Sequence, residues 1–445
     1  MHPRLTPWMS ALALGALLLG GNARAEEAVD SGPRLSWSAF GTIGLTQSDQ
    51  SFTYQRFIKD HATTERDSVL GVQLDAQFSP EWSATVQLRL GPSEDHDARW
   101  SLRPSWAFVA WRPNNDWLLR LGRMRVPFFL RSEQLDVGQT YDEARLPTEF
   151  YSLAPTSDFS GLNLSRSLWL ADGELSIDGY VGQTTLAKRS WQREALPSPV
   201  PGQPPLVSAG AQFRRADVDG VGGVLTWRTA DTTLRAGLHR LTVGLSDGSS
   251  LLVRPVWAPL GPGLGYWQTS NQLPGPGVQE ARHFREWLYA AGVDHRFDAR
   301  WRVVAELMRL RQSGTVLAVD AWAAAATVSR QWGAFTPYVS VAAAHSSADG
   351  TAVARALDST RLPDALPGAP LLNGSMRSAA DHTLVFRQTS LALGSSWALD
   401  ARSKLKLEWM HTQAQQSQLI DVPAGEPLAR PRHVNVLSLS YSFVY

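Results

Sequence analysis

The stretch LGVQLDAQF-SPE-WSATVQLRL, residues 70–90, alternates apolar and polar side chains on both sides of a short turn. Leu70, Val72 and Leu74 share one face, and the residues between them are polar or glycine. The alternation resumes beyond the turn at 79–81. A period of two is that of a β-strand with one apolar face, whereas a helix would need apolar residues three and four positions apart. The stretch therefore predicts an antiparallel hairpin.

The same alternation recurs along the chain, for example in residues 175–181 and 404–409. Alternation alone also fits a soluble β-sandwich, whose strands have one buried face and one solvent-exposed face. The connections favour a barrel, because short turns alternate with long polar or proline-rich connections, as in outer-membrane proteins. The short turns lie near 79–81, 113–116, 171–173, 229–232, 297–300, 331–333 and 398–402, and the long connections near 47–65, 91–103, 124–158, 185–215, 244–284, 313–316, 346–381 and 413–431. We predict an all-β fold, a transmembrane antiparallel β-barrel of about sixteen strands with short periplasmic turns and long external loops.

The composition excludes several classes of function. The 445 residues contain no cysteine, which rules out disulfide frameworks, thiolate metal sites and cysteine nucleophiles. Charged residues make up 19% and form no acidic or basic block, so nothing points to a nucleic-acid partner. The richest apolar run, Ala318 to Val328, contains Asp320 and is far shorter than the ~18 residues of a membrane helix. We expect no cofactor and no metal.

Residues 1–25 predict a cleaved signal peptide. Arg4 supplies a positive charge, residues 11–20 (ALALGALLLG) are apolar, and the tripeptide ARA at 23–25 matches an A-x-A cleavage site. A membrane anchor is the alternative, but this apolar stretch is too short to span a bilayer. Cleavage would leave one barrel domain, 26–445, with 40 basic and 41 acidic residues.

Many of the 18 tryptophans lie close to the predicted short turns. They are Trp82, Trp111, Trp117, Trp169, Trp227, Trp301, Trp332 and Trp397. The amphipathic indole prefers the boundary between lipid and water, so this clustering predicts an aromatic girdle at one rim. Chance placement is the alternative, whereas a soluble sandwich would more often place tryptophan in mid-strand.

The chain ends VNVLSLSYSFVY, residues 434–445, and alternates back from a terminal aromatic residue. Serines form one face, and the apolar face consists of Leu437, Leu439, Tyr441, Phe443 and Tyr445. This pattern resembles the assembly signal of Gram-negative outer-membrane β-barrel proteins, although family members most often end in Phe. The whole mature chain resembles the bacterial porin superfamily of the sixteen-stranded type.

That resemblance implies a function and partners. It implies a location in the cell outer membrane, surrounded by lipid, and assembly of the final strand by the barrel assembly machinery. It also implies a homotrimer and a water-filled channel for passive diffusion of small hydrophilic solutes or ions.

In sixteen-stranded porins the third external loop folds into the lumen and narrows the pore. The third long connection here, 124–158, carries apolar groups that a solvated loop does not need, namely Phe128, Phe129, Leu130, Tyr141, Phe150 and Tyr151. We therefore predict that it packs against the inner wall, rather than on neighbouring loops or another subunit. The charged residues predicted for the constriction are Arg125, Arg131, Glu133, Asp136, Asp142, Glu143, Arg145 and Glu149.

The polar half of each alternation should line the lumen, because a charge facing lipid at the midplane costs about 2–4 kcal/mol. This predicts a pore wall that includes Asp75, Arg89, Arg120, Arg235 and Arg302. Acids on the loop opposite arginines on the wall, kept apart by a narrow wet gap, would create a transverse field. The alternative is that these charges only solvate the lumen or pair with one another.

Metal-dependent hydrolysis leaves no motif in the sequence. No H-E-x-x-H metal motif is present, and we predict that the protein is not an enzyme. Strand one begins near Leu35, which leaves no room for a plug domain. An outer-membrane barrel with a non-channel role, as an enzyme, adhesin or anchor, stays open as the alternative.

Overall fold

A computed structural model describes residues 33–154, 156–200 and 202–445, and the predicted signal peptide lies outside them. The fold is a closed antiparallel barrel of sixteen strands, which confirms the predicted fold class. The barrel strands are β1 (Arg34–Ser48), β2 (Val69–Gln77), β3 (Trp82–Pro92), β4 (Trp100–Trp111), β5 (Trp117–Arg125), β6 (Asp158–Leu170), β7 (Gly173–Gln192), β8 (Gly210–Arg228), β9 (Thr232–Leu245), β14 (His283–Arg296), β15 (Trp301–Ser313), β16 (Ala321–Arg330), β17 (Phe335–Ser346), β18 (Phe386–Asp400), β19 (Ser403–Ser417) and β20 (Arg432–Val444). The barrel closes where β1 pairs with β20.

The two ends of the barrel differ in their connections. All seven predicted short turns join neighbouring strands at one end, here called the short-turn end. The opposite, long-loop end carries further elements: β10 (Leu251–Leu252), β11 (Val256–Gly261), β12 (Leu264–Gln268), β13 (Glu280–Ala281), and the helices α2 (Ala348–Ser359) and α3 (Ala369–His382), while helix α1 (Thr148–Tyr151) lies in the third connection. The alternation argument predicts none of these, because they do not face lipid. Among the described residues, no helix is long and apolar enough to cross a membrane.

Strands β7 and β8 extend further than the sequence predicts. They continue to Gln192 and from Gly210, so the predicted connection 185–215 is too long. At the start of this extension the paired residues Thr185 and Asp217 are polar, and Thr185 donates to Asp217 at 2.6 Å. The apolar alternation therefore ends before the backbone pairing does.

The outer face of the barrel is mostly apolar. On β20, Leu437 and Leu439 are 57% and 42% exposed, whereas Ser438 and Ser442, which face inward, are at most 2% exposed. A row of exposed aliphatic and aromatic side chains is costly in water but favourable against lipid. The alternation read from the sequence therefore separates an outer apolar face from an inner polar face on this strand.

Tryptophans mark both rims of the outer face. At the short-turn end, Trp82 and Trp111 stack with ring centroids 6.0 Å apart, and both are exposed. A second group, Trp100, Trp287 and Trp322, lies near the long-loop end and is also exposed. The girdle predicted from tryptophans near the short turns does not include this second band.

The interior is not uniformly polar, which corrects the expectation that inward positions are the polar half of every strand. Met308 and Leu310 of β15 and Leu288 of β14 face inward and are buried in one cluster with Phe129 and Phe150. The third connection supplies apolar surface at these positions. The wall behind it is therefore shielded from water. A second apolar cluster at the long-loop end packs α2 and α3 against inward residues of β18, β19 and β20.

Candidate functional site

The segment 124–158 lies inside the barrel, held by aromatic packing. The Phe129 ring centroid is 4.6 Å from that of Phe150. Phe128 contacts His239 of β9 edge to face, with centroids 4.8 Å apart. These three phenylalanines are each at most 2% exposed. The aromatic residues that distinguish this segment in the sequence therefore pack against the inner wall.

Hydrogen bonds tie the segment to opposite sides of the barrel. On one side, Arg235 of β9 donates to the Pro127 carbonyl at 3.0 Å. On the other side, the Lys406 ammonium of β19 donates to the Gly138 carbonyl at 2.6 Å and to the Glu143 carbonyl at 2.9 Å. The segment therefore crosses the lumen.

Asp136 forms the charged contact between the segment and the β3–β5 wall. Its carboxylate accepts a hydrogen bond from Arg89 Nε of β3 at 2.8 Å and contacts the Arg125 guanidinium at the end of β5. Burial alone would raise the pKa of Asp136, but Arg125 and Arg89 outweigh burial and hold it below the usual carboxyl value. The carboxylate and the arginines form direct ion pairs. This corrects the expectation of charges kept apart by water.

Arg145 ties the segment to the connection between β1 and β2. Its Nε and Nη2 donate to the two carboxylate oxygens of Asp67 at 2.7 and 2.6 Å, and both side chains are 8% exposed. Its Nη1 donates to Gln55 at 3.2 Å. Burial alone would raise the pKa of Asp67, but Arg145 outweighs burial and lowers it. Sequence reasoning missed Asp67, because no local pattern connects residues so far apart in the chain.

Two further acids of the segment face basic residues on the wall. Asp142 accepts a hydrogen bond from Lys404 Nζ of β19 at 3.0 Å. Burial alone would raise the pKa of Asp142, but Lys404 outweighs burial and lowers it. Glu133 lies 3.8 Å from Arg120 of β5.

Two cavities within the lumen share one lining residue, Arg125. The loop-side cavity, about 500 Å³, lies toward the long-loop end and includes Arg89, Arg125 and Asp136 in its lining. The turn-side cavity, about 310 Å³, lies toward the short-turn end and includes Arg120, Arg125 and Arg235. Arg125, the partner of Asp136, lines both cavities.

The remaining predicted residues of the segment lie away from these cavities. Arg131, Glu143 and Glu149 are buried and line neither cavity. Glu149 accepts a hydrogen bond from Gln388 at 2.7 Å, and burial raises the pKa of Glu149. These charges stabilise the position of the segment through buried contacts.

Two predicted wall residues pair with neighbours on the wall. Asp75 accepts a hydrogen bond from Thr85 at 2.6 Å. Arg302 Nε donates to Asp294 at 2.7 Å. Arg302 follows the alternative that wall charges pair with one another, whereas the partner of Asp75 is an uncharged hydroxyl.

Sequence reasoning missed four arginines that line the loop-side cavity. They are Arg56, Arg66, Arg103 and Arg189. The alternation of β4 could have placed Arg103 inward, since it follows the outward Leu102. Arg56 and Arg66 lie in an irregular connection, where no period assigns a direction.

A comparison with protein-family models and one with curated proteins gave no match. Solved structures of similar fold are found. The outer membrane channel DcaP of Acinetobacter baumannii is 11% identical, covers 95% of this chain and 100% of its own, and has a TM-score of 0.51. An anion-selective porin from Comamonas acidovorans is 11% identical, with 93% of this chain and 100% of that chain covered and a TM-score of 0.51.

A loop-deletion mutant of OmpT, an outer membrane protein of Vibrio cholerae, has the same TM-score of 0.51 at 7% identity, covering 93% of this chain and 100% of that chain. At such identities the likeness concerns the fold alone. The closed barrel and these similarities together define a sixteen-stranded fold of porin type.

Proposed function

We propose that the protein is an outer-membrane porin, a water-filled channel for passive diffusion of small hydrophilic solutes or ions. The observation that carries this proposal is the pair of cavities that share Arg125, inside a closed barrel with a mostly apolar outer face. In this proposal the mature chain is exported through a cleaved signal peptide. The short turns then face the periplasm and the long loops face outward. The barrel conducts and does not catalyse.

The constriction in this proposal is the contact of Asp136 with Arg89 and Arg125. A charged pair at the narrowest point of a low-dielectric channel acts strongly on passing ions. Glu133 and Arg120 line the turn-side cavity just beyond it, so a permeating ion meets them next. The buried charges of the segment serve to hold it in place.

Planar-bilayer recording of the purified mature protein tests the proposal. We expect stepwise conductance. Removal of residues 132–143 from the segment is expected to raise the unitary conductance. A matched deletion of residues 247–249, in an exposed turn at the long-loop end, should leave the conductance unchanged. A barrel that inserts but never conducts, with or without the segment, would reject the channel.

A second candidate function is a non-conducting anchor that presents an external binding surface. It is favoured by the packing of α2 and α3 at the long-loop end, where buried Arg193 pairs with Asp358 at 2.6 Å and Asp381 at 2.5 Å. The same recording separates the two functions, because an anchor would insert without conducting.

We also propose that the barrel is a homotrimer. Its outer face at β7–β9 carries polar groups, and Gln183, Asp219 and Arg240 line an outward groove of about 540 Å³. Beside this groove, the paired glycines Gly179 and Gly223 leave the surface open. A polar, indented surface suits a neighbouring subunit better than lipid tails.

Native mass measurement in mild detergent tests the trimer. Gly223→Trp should fill the indentation and yield monomers, whereas Leu407→Trp, on the outer face of β19, should leave the trimer intact. Monomers of the unmodified protein would reject the proposal.

A further inference from the structure

The seam where the barrel closes joins the two ends of the chain. Strands β1 and β20 pair over residues 40–48 and 436–444, and no turn connects them. The other neighbouring strands of the barrel follow one another along the chain and are joined by a turn or a loop. In a hairpin, the type and length of the turn fix the register of the two strands. The seam must therefore obtain its register from other contacts.

The inward side chains of the seam specify its register only weakly. They are Thr42, Gly44 and Thr46 on β1, opposite Ser442, Ser440 and Ser438 on β20. The Thr42 and Ser442 hydroxyls bond at 2.9 Å, but the Ser440 hydroxyl has no partner within the described residues. A slip of two residues in either direction would again place Gly44 against a serine and one threonine against Ser440. It would also keep the apolar side chains outside, so the alternation does not prevent it.

One contact on the outer face favours the observed register. Phe443 of β20 lies opposite Gly41 of β1, and a Cβ at Gly41 would lie 2.8 Å from the Phe443 ring. Glycine therefore makes room for the ring, and a slip of two residues would place the ring against Ala39 or Ile43. This contact lies outside the lumen, so its effect can be measured separately.

The in-folded segment contacts both strands of the seam at Gly138. A Cβ on Gly138 would lie 2.5 Å from the hydroxyl oxygens of both Thr42 and Ser442, so its backbone rests directly on this opposed pair. Lys406 of β19, the neighbour of β20, donates to the Gly138 carbonyl at 2.6 Å. This first contact point is therefore attached to the β20 side of the seam.

A second contact point is Arg145. Its Nη2 donates to the hydroxyls of Thr46 on β1 and Ser438 on β20, each at 3.3 Å. These two residues are also directly opposite each other. Asp67 accepts hydrogen bonds from Arg145 at 2.6 Å and from Thr46 at 2.5 Å. The second contact point is therefore attached to the β1 side of the seam.

These contacts distinguish the observed register from its neighbours. A slip of two residues would move Thr46 about 7 Å along the strands relative to Ser438. Arg145 could then no longer donate to both hydroxyls. Gly138, which Lys406 holds on the β20 side, would meet a different residue of β1. The segment therefore fits one register of the seam and not the next.

We infer that residues 138–145 act as a clasp that sets the register of the closing seam. The number of strands and the shear together determine the tilt and the diameter of a barrel. A different register of the closing pair would change the shear, so the clasp also fixes the width of the barrel. The inference goes beyond the proposed channel and does not require conduction.

Pairs of introduced cysteines report the register directly, because the chain has no cysteine of its own. Leu45→Cys with Leu439→Cys is the in-register pair, since these outward residues lie opposite each other. Leu45→Cys with Leu437→Cys, or with Tyr441→Cys, reports a slip in one direction or the other. In the observed register such diagonal positions lie about 7–8 Å apart, too far for a disulfide without backbone movement. Each protein is purified as an assembled barrel and oxidised in detergent, and its disulfide-linked peptides are quantified by mass spectrometry.

The double variant Gly138→Leu with Arg145→Met removes both contact points of the clasp. With the segment unmodified, we expect the in-register pair to link and the slipped pairs to remain largely unlinked. In the double variant, linkage of at least one slipped pair should rise about tenfold. The matched control is Gly261→Leu with Arg302→Met, because Gly261 lies in open space and Arg302 pairs on the β14–β15 wall. It should leave the slipped pairs unlinked.

A variant of the outer contact separates the two determinants. If Phe443→Val with the segment intact raises slipped linkage as much as the double variant does, the register is set from outside and the clasp is overturned. Slipped linkage as strong as in-register linkage in the unmodified segment would also overturn it, as would no rise in the double variant. If the double variant does not assemble, Gly138→Ala, which adds one methyl group and removes no charge, decides by the same criterion. A rise in slipped linkage then supports the clasp, and its absence overturns it.

Discussion

Replacing Arg145 by methionine should release the segment from its contact with the β1–β2 connection. The change removes the guanidinium that pairs with Asp67 but keeps a long apolar side chain. Removing one partner of a buried ion pair typically costs about 3–5 kcal/mol, because the remaining charge is left uncompensated. We expect the lower end of this range, since Arg66 lies close enough to stabilise the Asp67 carboxylate in part.

If the free energy that holds the segment in place falls by about 3 kcal/mol, the ratio of docked to released segment changes roughly a hundredfold. Hydrogen–deuterium exchange of the purified protein in detergent measures this ratio, and amides of residues 138–151 should exchange about a hundredfold faster in Arg145→Met. Amides of the β19–β20 wall serve as the internal control and should not change.

The double variant Arg145→Met with Asp67→Asn should recover most of the protection. It removes both charges, and replacing a whole buried ion pair by uncharged groups is often nearly neutral. Unchanged exchange in the single variant, or exchange in the double variant as fast as in the single one, would show that the pair of Arg145 and Asp67 does not hold the segment.

Three other predictions concern charge and assembly. Asp136→Asn should free Arg89 and Arg125 and move the reversal potential in a salt gradient toward anions; an unmoved potential would place the pair outside the conduction path. Because the pKa of Asp136 is held below its ordinary value, its ion pairs stabilise the segment at pH values above the usual carboxyl range and are lost only as the pH falls through the lowered value. Unitary conductance should therefore stay constant from pH 7 down to about pH 4 and change below it, whereas a change centred near pH 6 would contradict this assignment. Removing residues 443–445 should sharply reduce outer-membrane assembly, because it deletes the end of β20, which pairs with β1; normal heat-modifiable barrels from the truncated chain would refute it.

Much of the barrel could be predicted from sequence, because lipid imposes a simple rule on every spanning strand. Outward positions such as Leu437 must be apolar and their neighbours such as Ser438 are free to be polar. The rule also predicts where turns fall, since the alternation breaks there. It fails where lipid no longer acts, as at Thr185, where the strand continues but its outward residues are polar.

The contacts within the lumen could be predicted only in part. The aromatic residues of 124–158 indicate that it packs against a surface, but the partners of its charges lie far away in the chain. Asp136 with Arg89 fits the predicted pairing of loop acid and wall arginine, whereas Arg145 pairs with Asp67 of another connection. Such pairings depend on the three-dimensional path of two irregular segments. These segments have no sequence periodicity from which the direction of a side chain could be predicted.

In the proposed channel, the conduction path passes Arg125. Single-channel recording of the purified mature protein in a planar bilayer, comparing unmodified protein with Arg125→Gln, tests this path. We expect discrete conductance steps, with a reversal potential that shifts toward cations in the variant. Insertion without steps, or steps whose reversal potential is the same in both proteins, would contradict it.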